Sequence, residues 1–238
     1  MRDYSKLISF LEENNYKIKD EQIQQFDKYY EALVETNKVM NLTSITEFDE
    51  VIDKHFIDSV AVISFTDFDN IASFIDVGTG AGFPGIPLKI LFPDIKAVLI
   101  DSLGKRIDFL RGIKERLGLE NIELIHTRSE DIAHEEEYRE NFDLCVSRAV
   151  ASLNVLSEYC LPFVKVGGRF IPYKSENCEE ELKESENSLD ILGGTVIQVK
   201  DMVIGAENAT RRFPIIKKVS PSPEKYPRKA GKPSKKPL

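Results

Sequence analysis

Residues 74–82 read Phe-Ile-Asp-Val-Gly-Thr-Gly-Ala-Gly, and the reading of this stretch decides the fold. An apolar run meets an acid, then Gly78, Gly80 and Gly82 at alternate positions. Glycine lacks a Cβ, so such a loop can take positive φ and approach a ligand closely. Placed directly after a strand, it describes a turn wrapped around a nucleotide-like cofactor. The dinucleotide fingerprint needs amide donors for a pyrophosphate, and here Phe83-Pro84-Gly85 follows instead. Proline removes one donor and suits a helix start. Asp76 sets a carboxylate beside the loop, which fits the ammonium and sulfonium of S-adenosylmethionine and would repel a pyrophosphate. The next apolar run, 97–100, ends in Asp101, placed to accept from a ribose of either cofactor. The balance favours S-adenosylmethionine.

Outward from this loop, strands are predicted at 73–78, 96–101, 121–126, 142–147 and 167–173, with a closing pair near 195–201 and 211–219. Helices fill the gaps; one runs from Lys105 to Leu117 and stops at Gly118, a good C-cap. The alternation predicts an α/β fold: a mainly parallel, doubly wound, seven-stranded, Rossmann-like sheet. The acidic segment 175–190 reads as a surface helix or loop. Upstream, Leu7, Ile8, Phe10 and Leu11, and then Ile23, Phe26, Tyr30, Leu33 and Val34, recur at helical spacing. A further helix spans about 47–64. The expected organisation is an N-terminal helical cap (1–65), a catalytic domain (66–220) and a basic tail (221–238).

Composition excludes several classes. Hydrophobic content of 42% and charged content of 30% suit a soluble globular protein of 238 residues. No apolar run nears the roughly 18 residues that span a bilayer, and the N-terminus lacks a signal pattern, so a cytoplasmic protein with no membrane partner is expected. Cys145, Cys160 and Cys178 show no metal-ligand spacing and read as reduced thiols. Residues 1–210 hold 22 basic and 39 acidic side chains, whereas ten basic and one acidic lie from Arg211 onward. The proline-rich, apolar-poor tail is expected to be flexible when free and to favour polyanions; a solubilising terminus is the bland alternative.

Ligands of such sheets sit beyond the carboxyl ends of the strands. Ser129 and Glu130 follow the third strand, where they can read an adenine edge or, for Ser129, cap a helix. Arg148 follows the fourth and is expected over the cofactor, with a salt bridge to Asp101 or Glu130 as the competing role. Lys174 follows the fifth and could meet a phosphate or a base carbonyl; a solvated lysine is the plain alternative. The strand ends also disfavour chemistries. Amine methylation calls for an Asn/Asp-Pro-Pro-aromatic loop, and that place holds Ser147-Arg148-Ala149-Val150. Carbon-five methylation of a pyrimidine needs an activated cysteine, and Cys145 falls inside a strand. Lys174 aside, no group stands out to deprotonate a hydroxyl. An acceptor that carries no proton, such as guanine N7, survives; no general base is then expected and alignment carries catalysis. A small-molecule methyltransferase and a non-catalytic RNA-binding factor remain alternatives; the basic tail weighs against the first, the intact loop with Asp101 against the second.

Asn41-Leu42-Thr43, His55-x-x-Asp58-Ser59, the 74–87 block ending Gly-Phe-Pro-Gly-Ile-Pro, Asp101-Ser-Leu-Gly-Lys-Arg106 and Ser147-Arg148-Ala149 together resemble the RsmG (GidB) family. Its members are bacterial guanine-N7 methyltransferases of small-subunit (16S) ribosomal RNA. The resemblance covers about 30–220 and implies S-adenosylmethionine as cofactor, and ribosomal RNA or the assembling small subunit as partner. By position it implies a cofactor site of Gly78, Phe83, Asp101, Ser102, Leu103, Ser129, Glu130 and Arg148. On the substrate side stand Asn41, His55, Arg148 and Lys174. His55, Asp58 and Ser59 share one helix face; packing of that helix over the cofactor loop competes with gripping RNA, and Asn41 either caps a helix or touches substrate. A monomer is expected.

Overall fold

The computed structural model describes residues 2–175, 177–205 and 209–238. Its strands are β1 (Ser73–Val77), β2 (Lys96–Asp101), β3 (Ile122–His126), β4 (Phe142–Arg148), β5 (Val164–Tyr173), β6 (Gly194–Ile204) and β7 (Ala209–Lys218). They form a single seven-stranded sheet in the order β3-β2-β1-β4-β5-β7-β6. Strands β1 to β5 pair in parallel, and β7 runs antiparallel between β5 and β6. The order reverses between β1 and β4, so a crevice opens at their carboxyl ends.

Strand alternation sorts the side chains into two faces. Phe74 of β1, Leu144 and Val146 of β4, and Ile171 and Tyr173 of β5 join one core, shared with the N-terminal helices. Ile75, Val77, Cys145 and Phe170 join the other, under the helices Leu153–Cys160 and Glu186–Leu192. The period of two places Asp76 and Arg148 on the N-terminal-helix face as well.

That face is covered by helices Ser5–Glu13 and Asp20–Met40 and by a helical segment over 48–64. Leu7, Leu11, Phe26, Tyr29, Leu33 and Phe56 are buried along their stripes. Polar ties fix the cover to the sheet. The Tyr29 hydroxyl donates to the Ala81 carbonyl at 2.6 Å, and that of Tyr173 to the Ser59 carbonyl at 2.6 Å. Residues Ile52–Ile57 form a wide π-type turn, a distortion often found at functional sites.

Helix Gly104–Leu117 ends as its sequence predicts, at Gly118 with φ +64°. The acidic segment forms the helices Cys178–Glu184 and Glu186–Leu192. The tail differs from expectation, because residues 221–238 lie packed on the domain. The Arg139 guanidinium donates to the carbonyls of Ser222, Pro223 and Tyr226. Arg228 grips Glu158, whose residue is fully buried. A composition rule weighs only apolar burial; here a buried carboxylate and a guanidinium of the body supply the anchorage.

Candidate active site

Beyond the ends of β1 to β3 lies a cleft of about 250 Å³, lined by Gly78, Asp101, Ser102, Ser129 and Glu130 together with Thr127, Arg128, Val150, Tyr159 and Ser234. Its floor is the glycine loop. The amides of Gly78 and Thr79 donate to the Ile100 carbonyl at 2.9 and 3.0 Å. Gly80 N–H donates to Asp101 Oδ2 and Leu103 N–H to Asp101 Oδ1, both at 2.9 Å. Arg106 adds a third contact at 3.2 Å. A carboxylate has about four acceptor positions, so capacity for a ligand hydroxyl remains. Asp101 therefore shapes the loop as well as facing the cleft. Gly82 sits at φ +103°, and a Cβ there would come within 2.6 Å of Ile86 Cγ1 and 2.7 Å of the Tyr29 hydroxyl. Only glycine lets the loop pass under the N-terminal helices.

Asp76 is turned inward. Its Oδ2 accepts from Thr79 Oγ1 at 2.7 Å and Gly85 N–H at 2.8 Å, joining the loop to helix Gly85–Leu91. Its Oδ1 is buried with no hydrogen-bond partner among the described residues. Burial pushes this carboxyl up to about 7, against the opposing pull of its Thr79 and Gly85 hydrogen bonds. Asp76 is absent from the cleft lining, so it shapes the loop from below, and the fit to a nucleoside-type cofactor rests on the spare acceptor capacity of Asp101.

The raised value carries a sign. The acid holds its proton more tightly folded than unfolded, so its stabilisation is complete below the ordinary value of 3.8 and is lost as pH rises through about 7. Between about pH 4 and pH 7 this carboxyl should therefore make melting temperature fall as pH rises, against the opposite trend from His55, whose value is held down to about 3; the slope of the unliganded Asp76→Asn variant should accordingly be more positive than that of the wild type. Equal slopes in the two proteins would assign the effect elsewhere.

Next to the cleft, across the 148–151 segment, lies a basic pocket of about 420 Å³ lined by Lys54, His55, Arg148, Tyr173, Lys174 and Arg211 among others. Arg148 falls here and is absent from the cleft lining. It donates to Asp58 Oδ2 at 2.6 Å and to the Lys54 carbonyl at 3.1 Å. The sequence offered Asp101 or Glu130 as its partner; the true one, Asp58, is fully buried and also accepts from Arg211 at 2.8 Å. Strand parity explains this, since Arg148 shares the face of Leu144 and Val146 with the N-terminal helices. Phe83 is likewise not part of the cleft lining. It is buried beneath the pocket, with the Arg148 guanidinium 5.1 Å above its ring and His55 stacked on it at 4.5 Å.

His55 Nε2 meets Thr43 Oγ1 at 2.8 Å and Nδ1 lies 3.4 Å from Arg148 Nη2. Burial, with Arg148 adding to it, holds the imidazole down to about 3, so it is neutral at physiological pH. Lys174 is buried, not solvated: Nζ donates to the Ala151 carbonyl at 2.7 Å and pairs with Glu181 at 2.6 Å. It braces the 148–152 segment. Asn41 ends helix Asp20–Met40 in the left-handed region, φ 47°, and is exposed; the capping role fits it. Leu103 is 53% exposed at the rim, held through its amide.

Sequence reasoning missed Arg211, Val150, Tyr159 and Ser234. Only Arg211 carried a signal, as the first cation of the basic stretch. A larger groove of about 580 Å³, between helices 178–192 and the start of β6, lies away from these strand ends.

A glycine-loop cleft with an acid closing β2, at the switch of a 3-2-1-4-5-7-6 sheet, defines a Rossmann-like methyltransferase. A solved O-methyltransferase from Bacillus cereus in complex with SAH shares this fold: TM-score 0.57, 16% identity, over 80% of this chain and 90% of that one. The family model "rRNA small subunit methyltransferase G" matches residues 22–210, and the chain belongs to that family. The ribosomal RNA small subunit methyltransferase G of Alkaliphilus metalliredigens is 49% identical over 95% of both chains. That of Lachnoclostridium phytofermentans is 48% identical over all of this chain and 98% of its own.

Proposed function

We propose that the chain transfers a methyl group from S-adenosyl-L-methionine to N7 of a guanine in 16S ribosomal RNA. The observation that carries this reading is the pairing of the two sites: a glycine-loop cleft, and beside it a basic pocket in which, among the described residues, the one carboxylate of the lining, Glu181, is tied to Lys174. His55 is held neutral with a conjugate acid of about 3, too weak to take a hydroxyl or amine proton. Lys174 is committed to Ala151 and Glu181. Guanine N7 carries a free in-plane lone pair, so nothing need remove a proton first. The cofactor, when bound, supplies the electrophilic methyl.

The chain's own residues bind and orient. Asp101, Gly78 and Ser102 hold the sugar end; Ser129 and Glu130 stand where the base would lie. Arg148 and Arg211, fixed by Asp58, present guanidinium groups to an anionic or carbonyl-rich acceptor. Alignment of two reactants in this way can supply about 7–11 kcal/mol of a barrier.

The test is transfer of labelled methyl to small-subunit RNA and particles from cells lacking this protein, mapped by strand cleavage specific for N7-methylguanine. A single stoichiometric cut is expected. Labelling without a cut would overturn N7, and absent labelling despite cofactor binding would favour a small-molecule acceptor.

A further inference from the structure

The docked tail ends at the cofactor cleft. After the Arg228–Glu158 anchor the chain turns through Gly231, φ +77°, into the short helix Lys232–Lys235. Gly231 N–H donates to Glu130 Oε1 at 3.0 Å. Ser234 Oγ lies 2.9 Å from the Tyr159 hydroxyl, and both side chains line the cleft opposite Asp101. Pro233 is buried, and Leu238 packs against the core of the 153–160 face. These contacts lie on the β3 side, beyond Asp101, where a cofactor whose ribose meets Asp101 carries its base.

We propose that residues 231–238 form a wall of the cofactor cleft at its adenine end, with Ser234 as a cofactor-contacting residue and Gly231 holding Glu130 in place. This rests on the S-adenosylmethionine reading above. A flexible segment spread over the cleft would spend ligand affinity on its own ordering. This one is already fixed by the Glu158 and Arg139 anchors upstream, so the wall stands before the ligand arrives. Lys229, Lys232, Lys235 and Lys236 stay exposed on its outer side, so the same segment can keep a basic outer surface without leaving the cleft.

The experiment removes residues 231–238, leaving the Arg228–Glu158 and Tyr226 anchors intact, and adds Ser234→Ala in the full chain. Calorimetry reads binding of S-adenosylhomocysteine and of methylthioadenosine, which keeps the adenosine but lacks the amino acid. Truncation should weaken both ligands by a similar factor of about ten, and Ser234→Ala by about two- to fivefold. Ser234 is an exposed surface position, so its variant should fold whether or not the truncated protein does. Wild-type binding with unchanged affinity in Ser234→Ala and in a folded truncation overturns the wall. Loss of RNA affinity at unchanged cofactor affinity overturns it too, and makes the segment an RNA arm. Failure of the wild type itself to bind either ligand overturns the cofactor reading and the wall with it.

Discussion

Arg148→Ala should lower the rate of methyl transfer to RNA by about 100-fold or more while S-adenosylmethionine affinity changes by less than about threefold. The split follows from position. Arg148 lies in the basic pocket and not in the cleft, 12% exposed at its side chain, with its guanidinium fixed between Asp58 and the Lys54 carbonyl. Its loss also leaves the fully buried Asp58 with Arg211 alone, so stability should fall by about 1–3 kcal/mol. Arg148→Lys keeps a charge that can serve Asp58 and the Lys54 carbonyl as Nη1 does, but not the flat guanidinium that lies over Phe83, and should restore stability more than turnover. Single-turnover rates and cofactor titrations on folded variants separate the effects. Near-wild-type turnover would remove Arg148 from the acceptor site; a large loss of cofactor affinity would return it to the cleft.

The second large effect is expected at Asp101, on the cofactor side. Asp101→Ala removes the acceptor for the Gly80 and Leu103 amides and the partner of Arg106 in one step. Hydrogen bonds to a charged acceptor are worth about 1.5–3 kcal/mol each, so the glycine loop should lose its fixed shape. Affinity for S-adenosylmethionine should drop by about 100-fold or more, with about 5 to 20 degrees lost in melting temperature. Asp101→Asn retains an oxygen for one of the amides and should fall between. Cofactor binding at wild-type strength in Asp101→Ala would refute a role for this carboxylate at the cleft. Arg148→Ala and Asp101→Ala thus fail in opposite halves of the reaction, one in transfer and one in cofactor holding.

Much of this was legible in the chain because it rests on local rules. The run 74–82 announces a strand and a ligand loop, since glycine takes the positive φ at 78, 80 and 82 with the least strain. Asp101 is readable because an acid that ends a strand beside that loop has few other places to go. Gly118 marks a helix end for the same conformational reason. The partners of Arg148 were not legible. The period of two along Leu144, Val146 and Arg148 held the answer, yet which face meets the N-terminal helices depends on the sheet's assembly. The setting of Phe83 was not legible for a related reason: its ring joins an aromatic cluster of Tyr29, His55 and Phe56 that only the assembled fold brings together. Lys174 shows the limit of reading a lone lysine, because its partners come from separate elements, Glu181 from the helix Cys178–Glu184 and the Ala151 carbonyl from the segment after β4.

The sequence by itself determined the α/β class, the order of strands and helices, the glycine loop with its two acids, and a chain strongly acidic before Arg211 and basic after it. Those follow from side-chain period, backbone freedom and charge, which act over a few residues or along the whole chain. Tertiary structure alone decided that Asp58 gathers Arg148 and Arg211, that Asp76 is buried and keeps its proton up to about 7, and that the basic tail folds back to the cleft. The Asp58 and tail contacts join groups 90 to 153 positions apart, and all three depend on a low-dielectric interior, where one buried carboxylate can outweigh the composition of a whole segment.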